Sequence, residues 1–260
     1  MSAEELLVDR DGGIATLTLN RPDKRNALTF AMYEGLAEFC RTAKHDTGLK
    51  AVIVTGAGGK AFAAGTDISL FRDFEGAADG LAYEAKMDGI LSDIEACPVP
   101  MIAAIAGACT GGGAAIAGVC DVRIASPDMR FGFPIARTLG NCLSVASLRR
   151  MSALLGAART RELIFTSRLI EADEALAIGL VSEIVPDAQK LTERARELAA
   201  EIAGYAPVTL RVTKEMFRRM EAATPDVDDE DLIAICYGSD DFKEGLDAFL
   251  NKRPAEWKGH

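Results

Sequence analysis

Two glycine-rich segments hold the residues whose types and spacing could do chemistry. Ala106-Gly107-Ala108-Cys109-Thr110-Gly111-Gly112-Gly113-Ala114-Ala115 joins an apolar run to a stretch of small residues. Consecutive glycines let a ligand approach bare backbone. A helix starting there leaves its first N–H groups unpaired and adds a partial positive charge. Such a terminus suits an anion or a developing oxyanion. Close packing of a helix on a sheet demands the same small residues, so the segment by itself leaves both readings open. The other segment, Gly56-Ala57-Gly58-Gly59-Lys60-Ala61, follows an apolar run and matches a loose GxGxxA. A dinucleotide site is not expected from it. Ala61 to Asp67 does not read as a clean helix, and a helical pattern already precedes the strand, so this is not a first βα turn. The Walker pattern fails as well, since position 54 is Val and Ala61 follows the lysine.

Other chemistries are poorly supplied. The chain has two histidines, His45 and the last residue His260. His45 lies in the polar Lys44-His45-Asp46 and reads as surface. With no G-x-S-x-G and so little histidine, a serine triad is not expected. Cys40, Cys97, Cys109, Cys120, Cys142 and Cys236 form no CxxC pair, so no metal site is expected and the thiols read as reduced and mostly buried. Lys and Arg number 29 against 39 Asp and Glu, a net charge of −10, which argues against a general nucleic-acid binder. Met1 to Asp11 is polar and does not read as a leader. The most apolar stretch, Val99 to Val119, is broken by Pro100, Thr110 and glycines, so it reads as core and not as a membrane span. Cytoplasmic localisation is expected.

These segments need elements to position them. Leu6 to Arg10 and Ile14 to Asn20 alternate around Gly12-Gly13 and predict a hairpin. Thr29 to Lys44 has helical spacing, with Thr29 as N-cap. Ala51 to Val54, Met101 to Ala106 and Val122 to Ala125 predict buried strands. Gly56 to Gly65 reads as a loop. Asp79 to Ala96 reads as a helix stopped by Pro98 and Pro100, and Ala114 to Gly118 as a short helix. After Ser144 strands nearly vanish, with Val181 to Val185 the last. Asp187 to Leu250 is helical throughout. The fold class is α/β with parallel crossovers.

Several segments, in order, resemble the crotonase (enoyl-CoA hydratase/isomerase) superfamily. Lys60-Ala61-Phe62-Ala63-Ala64-Gly65-Thr66-Asp67-Ile68 resembles its K-x-F-x-A-G-x-D-[IL] segment, and Thr110-Gly111-Gly112-Gly113 its second glycine segment. Asn20-Arg21-Pro22 with Asn26-Ala27-Leu28, Cys120 to Ala125, Glu174 to Val181, and Glu244 to Phe249 with Lys252-Arg253 match further family patterns. The resemblance spans about residues 14 to 253. It implies a crotonase-like spiral of ββα units over 1–195 and a helical C-terminal section over 196–260 that mediates a homotrimer or hexamer. It implies that the backbone N–H groups of Thr66 and Gly112 form an oxyanion hole for a coenzyme A thioester. Arg25, Ala27, Ala64, Gly65, Asp67, Ile68, Phe249 and Lys252 would bind the substrate, with the Ala64 carbonyl meeting the adenine amino group. The acyl-CoA is substrate; no cofactor is implied. The activity implied is that of a lyase or isomerase of fatty acid metabolism.

The sequence departs from that pattern where hydratases of the family carry two glutamates. Ala115 stands at one position; Ile135, after Phe131-Gly132-Phe133-Pro134, stands at the other. One acid–base residue contributes about 10²–10⁴-fold to such a step. Hydration by the two-glutamate route is therefore not expected. Another enolate reaction such as acyl-CoA decarboxylation, or acyl-CoA binding without turnover, is the alternative. Arg137, Thr138, Asn141 and Cys142 lie where the site wall should be. Asp67 reads as a cap of the next turn. Glu84, Asp88 and Glu95 lie on a helix that, by the resemblance, can border the pocket, and on so acidic a surface most of them read as solvated. Phe71, Phe74, Tyr83 and Met87 suit an acyl pocket or the core.

Overall fold

The computed structural model describes residues 4–223, 225 and 227–259, so His260 lies outside the described residues. Strands β1 (Leu6–Asp11) and β2 (Ile14–Leu19) form the expected hairpin, and α1 (Phe30–Ala43) follows with Met32 N–H donating to the Thr29 hydroxyl. Three similar units come next. β3 (Ala51–Gly56), β4 (Ala61–Ala63) and α2 (Ala77–Glu95) make the first. β5 (Met101–Ile105), β6 (Ala108–Thr110) and α3 (Gly112–Val119) make the second. β7 (Val122–Ala125), β8 (Arg130–Gly132), α4 (Ile135–Thr138) and α5 (Val145–Leu155) make the third. α6 (Ala157–Thr166), β9 (Ile170–Glu171), α7 (Ala172–Ala177) and β10 (Glu183–Ile184) lead to the helices α8 (Ala188–Ala203), α9 (Pro207–Ala222), α10 (Glu230–Gly238) and α11 (Asp240–Leu250).

Each unit gives one strand to each of two sheets before its helix. The larger sheet runs β1-β2-β3-β5-β7-β10, parallel except at the β1 edge; the smaller runs β4-β6-β8-β9. This is the spiral of ββα units that the resemblance implied. The step between the sheets is tight. Gly107 adopts φ +58°, and a Cβ there would sit 2.0 Å from the Lys60 carbonyl oxygen, so only glycine turns this corner.

The central strands are apolar on both sides because both faces of the larger sheet are covered. Val52, Val54, Met101, Ala103 and Ile105 point into a core shared with α1, α2 and α3. Their neighbours Ala51, Ile53, Ile102 and Ala104 pack instead on Leu191, Ala195, Ala199 and Ile202 of α8. The amphipathic α8 thus closes the outer face, and residue 195 falls inside it.

Two sequence expectations need correction. The segment Gly56 to Gly65, read as loop, contains β4, whose three residues are all buried. Its small residues are there to let β4 lie under α3. The region after Ser144 also holds a strand that was not expected, β9, pairing antiparallel with β8. Two residues are too few to show an alternation.

Leu191 is 2 % exposed. Leu191→Ala should lower the unfolding free energy by about 2–5 kcal/mol in urea titration, since the void it leaves lies between two rigid layers.

Candidate active site

The site grows from the two glycine segments, which the sheets bring face to face. β4 runs out at Ala63, and the chain is then held by bonds to the segment 25–28: Ala64 N–H to Arg25 O (3.0 Å), Leu28 N–H to Gly65 O (2.8 Å), and Asp67 N–H to Leu28 O (2.9 Å). The Thr66 N–H is skipped. On the facing segment, Gly111 N–H bonds Gly132 O at 3.0 Å and Ala115 N–H bonds Gly111 O at 2.9 Å, while Gly112 opens α3. Among the described residues neither the Thr66 nor the Gly112 N–H has an acceptor. The first N–H groups of a helix have no intrahelical partner, and the helix dipole makes them electropositive.

Side chains crowd around these donors. A Cβ on Gly112 would meet the Tyr33 hydroxyl at 1.8 Å and Thr66 Oγ1 at 3.1 Å, so the position tolerates no side chain. Thr66 Oγ1 lies 2.9 Å from both the Tyr33 and the Tyr83 hydroxyls, which links α1, the β4 exit and α2 in one chain of hydroxyls. Burial pushes both tyrosine pKa values upward, so each hydroxyl keeps its proton.

Both donors border a cavity of about 860 Å³. Of the residues singled out in the sequence, Arg25, Ala27, Ala64, Gly65, Thr66, Asp67, Ile68, Gly112, Ala115, Ile135 and Phe249 line it; Lys252 does not, and lies just beyond α11. Arg21, Lys24 and Arg25 put positive charge on one part of the wall. Elsewhere the wall is mostly apolar, with Phe71, Met87, Leu91, Phe133, Leu139 and Leu143, interrupted by a few polar side chains. Phe74 stands behind it, 5.1 Å from the Phe71 ring centre. Thr138 and Asn141 reach the cavity, whereas Arg137 and Cys142 are not part of its wall.

Asp67 caps the turn Ile68–Phe71, accepting from Ser69 N–H at 3.1 Å, and pairs with Arg21 at 2.9 Å. Burial opposes its ionisation, but the bonds from Ser69 and Arg21 outweigh that and hold its carboxyl below the usual range.

Of the three α2 acids, Glu84 departs from the solvated reading and borders the pocket as the resemblance allowed for this helix. Glu84 is 4 % exposed and lines the cavity. Asp88 and Glu95 pair with Arg150 of α5 at 3.2 and 3.0 Å. The cause is that α2 packs against α10 and α1 and reaches α5 through these side chains, which buries Glu84 and leaves Asp88 and Glu95 half-buried. The Tyr237 hydroxyl donates to Glu84 Oε1 at 2.5 Å and Ser144 N–H to Oε2 at 3.3 Å. Burial, opposed by the Tyr237 bond and reinforced by the nearby Asp88 charge, lifts the Glu84 carboxyl to about 7. A sequence signal for it existed: Gly80, Glu84, Met87, Leu91 and Ile94 follow a 4-3-4-3 spacing and are all buried.

The chain matches the enoyl-CoA hydratase/isomerase family over residues 9–260, and it belongs to that family. The short-chain-enoyl-CoA hydratase of Clostridium acetobutylicum is 34% identical over 261 residues, 98% of each chain. Among solved structures, an enoyl-CoA hydratase/carnithine racemase from Magnetospirillum magneticum superposes with a TM-score of 0.80 at 36% identity, covering 100% of this chain and 97% of that one. A methylmalonyl-CoA decarboxylase in complex with 2-nitronate-propionyl-CoA superposes with a TM-score of 0.89 at 27% identity over 99% of both.

The Glu84 carboxyl should also mark the pH dependence of stability. Its folded pKa of about 7 exceeds the ordinary 4.5, so the folded state holds the proton longer. The contribution is present below about pH 4.5 and lost as pH rises through about 7, a fall of about 3 kcal/mol. Glu84→Gln should flatten this slope, read as the difference between urea unfolding free energies at pH 5 and pH 8.

Proposed function

We propose that this protein acts on coenzyme A thioesters, holding the thioester carbonyl between the Thr66 and Gly112 N–H groups and stabilising the enolate that forms from it. The observation that carries this reading is the pair of acceptor-free N–H donors bordering one large cavity, one of them at a helix N-terminus. Negative charge grows on the carbonyl oxygen as the enolate forms, and each such donor is worth about 3–4 kcal/mol in the transition state. The positive wall at Arg21, Lys24 and Arg25 suits the phosphates of the CoA. The Ala64 carbonyl is assigned to the adenine amino group, and the apolar wall to the acyl chain. Phe249, Leu250 and, beyond them, Lys252 would close over the pantetheine and phosphates.

Within this class, the two-glutamate addition of water is disfavoured, because the cavity wall at positions 115 and 135 is alkyl. A second reading, decarboxylation or a related enolate reaction, is supported by the TM-scores of 0.89 and 0.87 to two methylmalonyl-CoA decarboxylase complexes, against 0.80 for the hydratase/racemase. Removal of CO₂ leaves an enolate directly, so it needs the oxyanion hole but no base to start it.

A conjugated thioester reports the hole without any proton transfer. 4-Dimethylaminocinnamoyl-CoA should shift its absorption to longer wavelength on binding, and Gly112→Ala should abolish the shift. Binding with no shift in the wild-type protein would overturn the oxyanion-hole assignment. Crotonyl-CoA hydration should run at least about 10²-fold below a two-glutamate hydratase; comparable turnover would refute the disfavoured water addition.

We also propose self-association through the C-terminal helices. α9 buries none of its residues, and Val208, Val212, Met216, Phe217 and Met220 are all exposed, at 60, 41, 60, 65 and 68 %. Apolar faces of this kind mark interaction sites. Sedimentation equilibrium should give three or six times the 27.6 kDa chain mass, and Phe217→Glu should lower it; a monomeric wild-type protein would refute the assembly.

A further inference from the structure

An enolate reaction that exchanges a proton at the carbon next to the thioester needs an acid–base group in reach of the acyl chain. Among the described residues two carboxylates line the cavity, Asp67 and Glu84. Asp67 is committed to Arg21 and to the turn it caps. Glu84 follows Tyr83 on α2, and the Tyr83 hydroxyl bonds the Thr66 side chain at 2.9 Å. Thr66 bonds Tyr33, whose hydroxyl fills the space over Gly112. Glu84 borders the same cavity as this hydroxyl chain and the two backbone donors, and lies close enough to Tyr33 and Tyr83 for its charge to add to burial in pushing both of their pKa values up. Its carboxylate is also fixed in place: α10 holds one oxygen through Tyr237, and the N-terminus of α5 holds the other through Ser144. Each oxygen keeps a lone pair for a proton.

We propose that Glu84 is the catalytic acid–base of this site, taking a proton from C2 of the acyl thioester and returning it. The proposal rests on the enolate reading above. In the forward step the C2–H bond breaks and the proton passes to a Glu84 oxygen. The electron pair becomes the C1–C2 double bond, and the carbonyl oxygen takes the negative charge between the Thr66 and Gly112 N–H groups. The reverse step returns the proton to C2, and the same return quenches an enolate made by loss of CO₂. A carboxyl lifted by burial to about 7 is matched to proton exchange near neutral pH. The titratable groups around it are Asp88, paired with Arg150, Asp229 ahead of α10, Tyr33 of α1, Tyr83 of α2, Tyr237 and Cys236 of α10, and Cys142. Tyr237 is a positioning residue, because it reaches the acyl group only through Glu84.

A buried glutamate clamping three helices together would show the same hydrogen bonds, so the test must read proton transfer. Wild-type protein in D₂O with butyryl-CoA should exchange deuterium into C2, followed by mass spectrometry, with a rate rising through about pH 7. Glu84→Gln should slow exchange by about 10²–10⁴-fold while 4-dimethylaminocinnamoyl-CoA keeps its red shift. Tyr237→Phe removes a donor that favours the carboxylate, so its exchange profile should move to higher pH with little change in the plateau. Exchange by Glu84→Gln within a few-fold of wild type, an unmoved profile in Tyr237→Phe, or a wild-type protein with the red shift but no exchange would each overturn Glu84 and leave the oxyanion hole standing. A wild-type protein that binds the cinnamoyl thioester without the shift would instead fail the enolate reading, and Glu84 with it.

Discussion

The structure turns on how closely backbone can approach backbone at the first turn of α3. Gly112 has room for no side chain because Tyr33 and Thr66 already occupy that space. The absence of a Cβ does two things at once. It lets three elements, α1, the β4 exit and α3, meet at one point, and it leaves the Gly112 N–H open toward the cavity. The Thr66 N–H is left open by a different device, a pairing with Leu28 that uses the groups on either side of it. Paired donors whose direction is fixed by sheet and helix need no reorganisation when charge develops, which is the basis of electrostatic catalysis.

Around that point the architecture separates two environments. Arg21, Lys24 and Arg25 bring cations to one part of the cavity in a chain that is strongly acidic overall. The rest is mostly apolar, and among the described residues Glu84 is the one carboxylate there without an ion pair. Burying a charge is expensive, so a carboxyl in such surroundings holds its proton to higher pH. The same low-polarity wall that would seat an acyl chain is therefore what tunes the acid. The bonds from Tyr237 and Ser144 work against that shift and keep ionisation accessible.

Much of the framework was legible in the sequence. Val122 to Ala125 is a strand with those bounds, Thr29 caps α1, and the hairpin sits where alternation placed it. These are local properties: period, cap and turn chemistry act within a few residues. The two glycine segments were legible as places where backbone is approached closely, but local chemistry left a ligand site and helix–sheet packing equally open, and only the family resemblance pointed to Thr66 and Gly112. Ala115 and Ile135 could be marked as places without an acid only because the resemblance says where hydratases of the family carry one.

What the sequence could not decide was which surfaces α2 would meet. On so acidic a chain most of Glu84, Asp88 and Glu95 read as solvated even on a helix that could border the pocket, although Glu84 shares a stripe with Met87, Leu91 and Ile94. Only the packing of α2 against α10 and its reach to the start of α5 bury Glu84 and give its two oxygens donors from residues 60 and 153 positions away. The sequence by itself determined most of the elements and, through its ordered family segments, the family, since those depend on local spacing and residue type. The tertiary structure alone decided the protonation behaviour of Glu84, because a pKa depends on what surrounds a group in space, and those neighbours are brought together by folding.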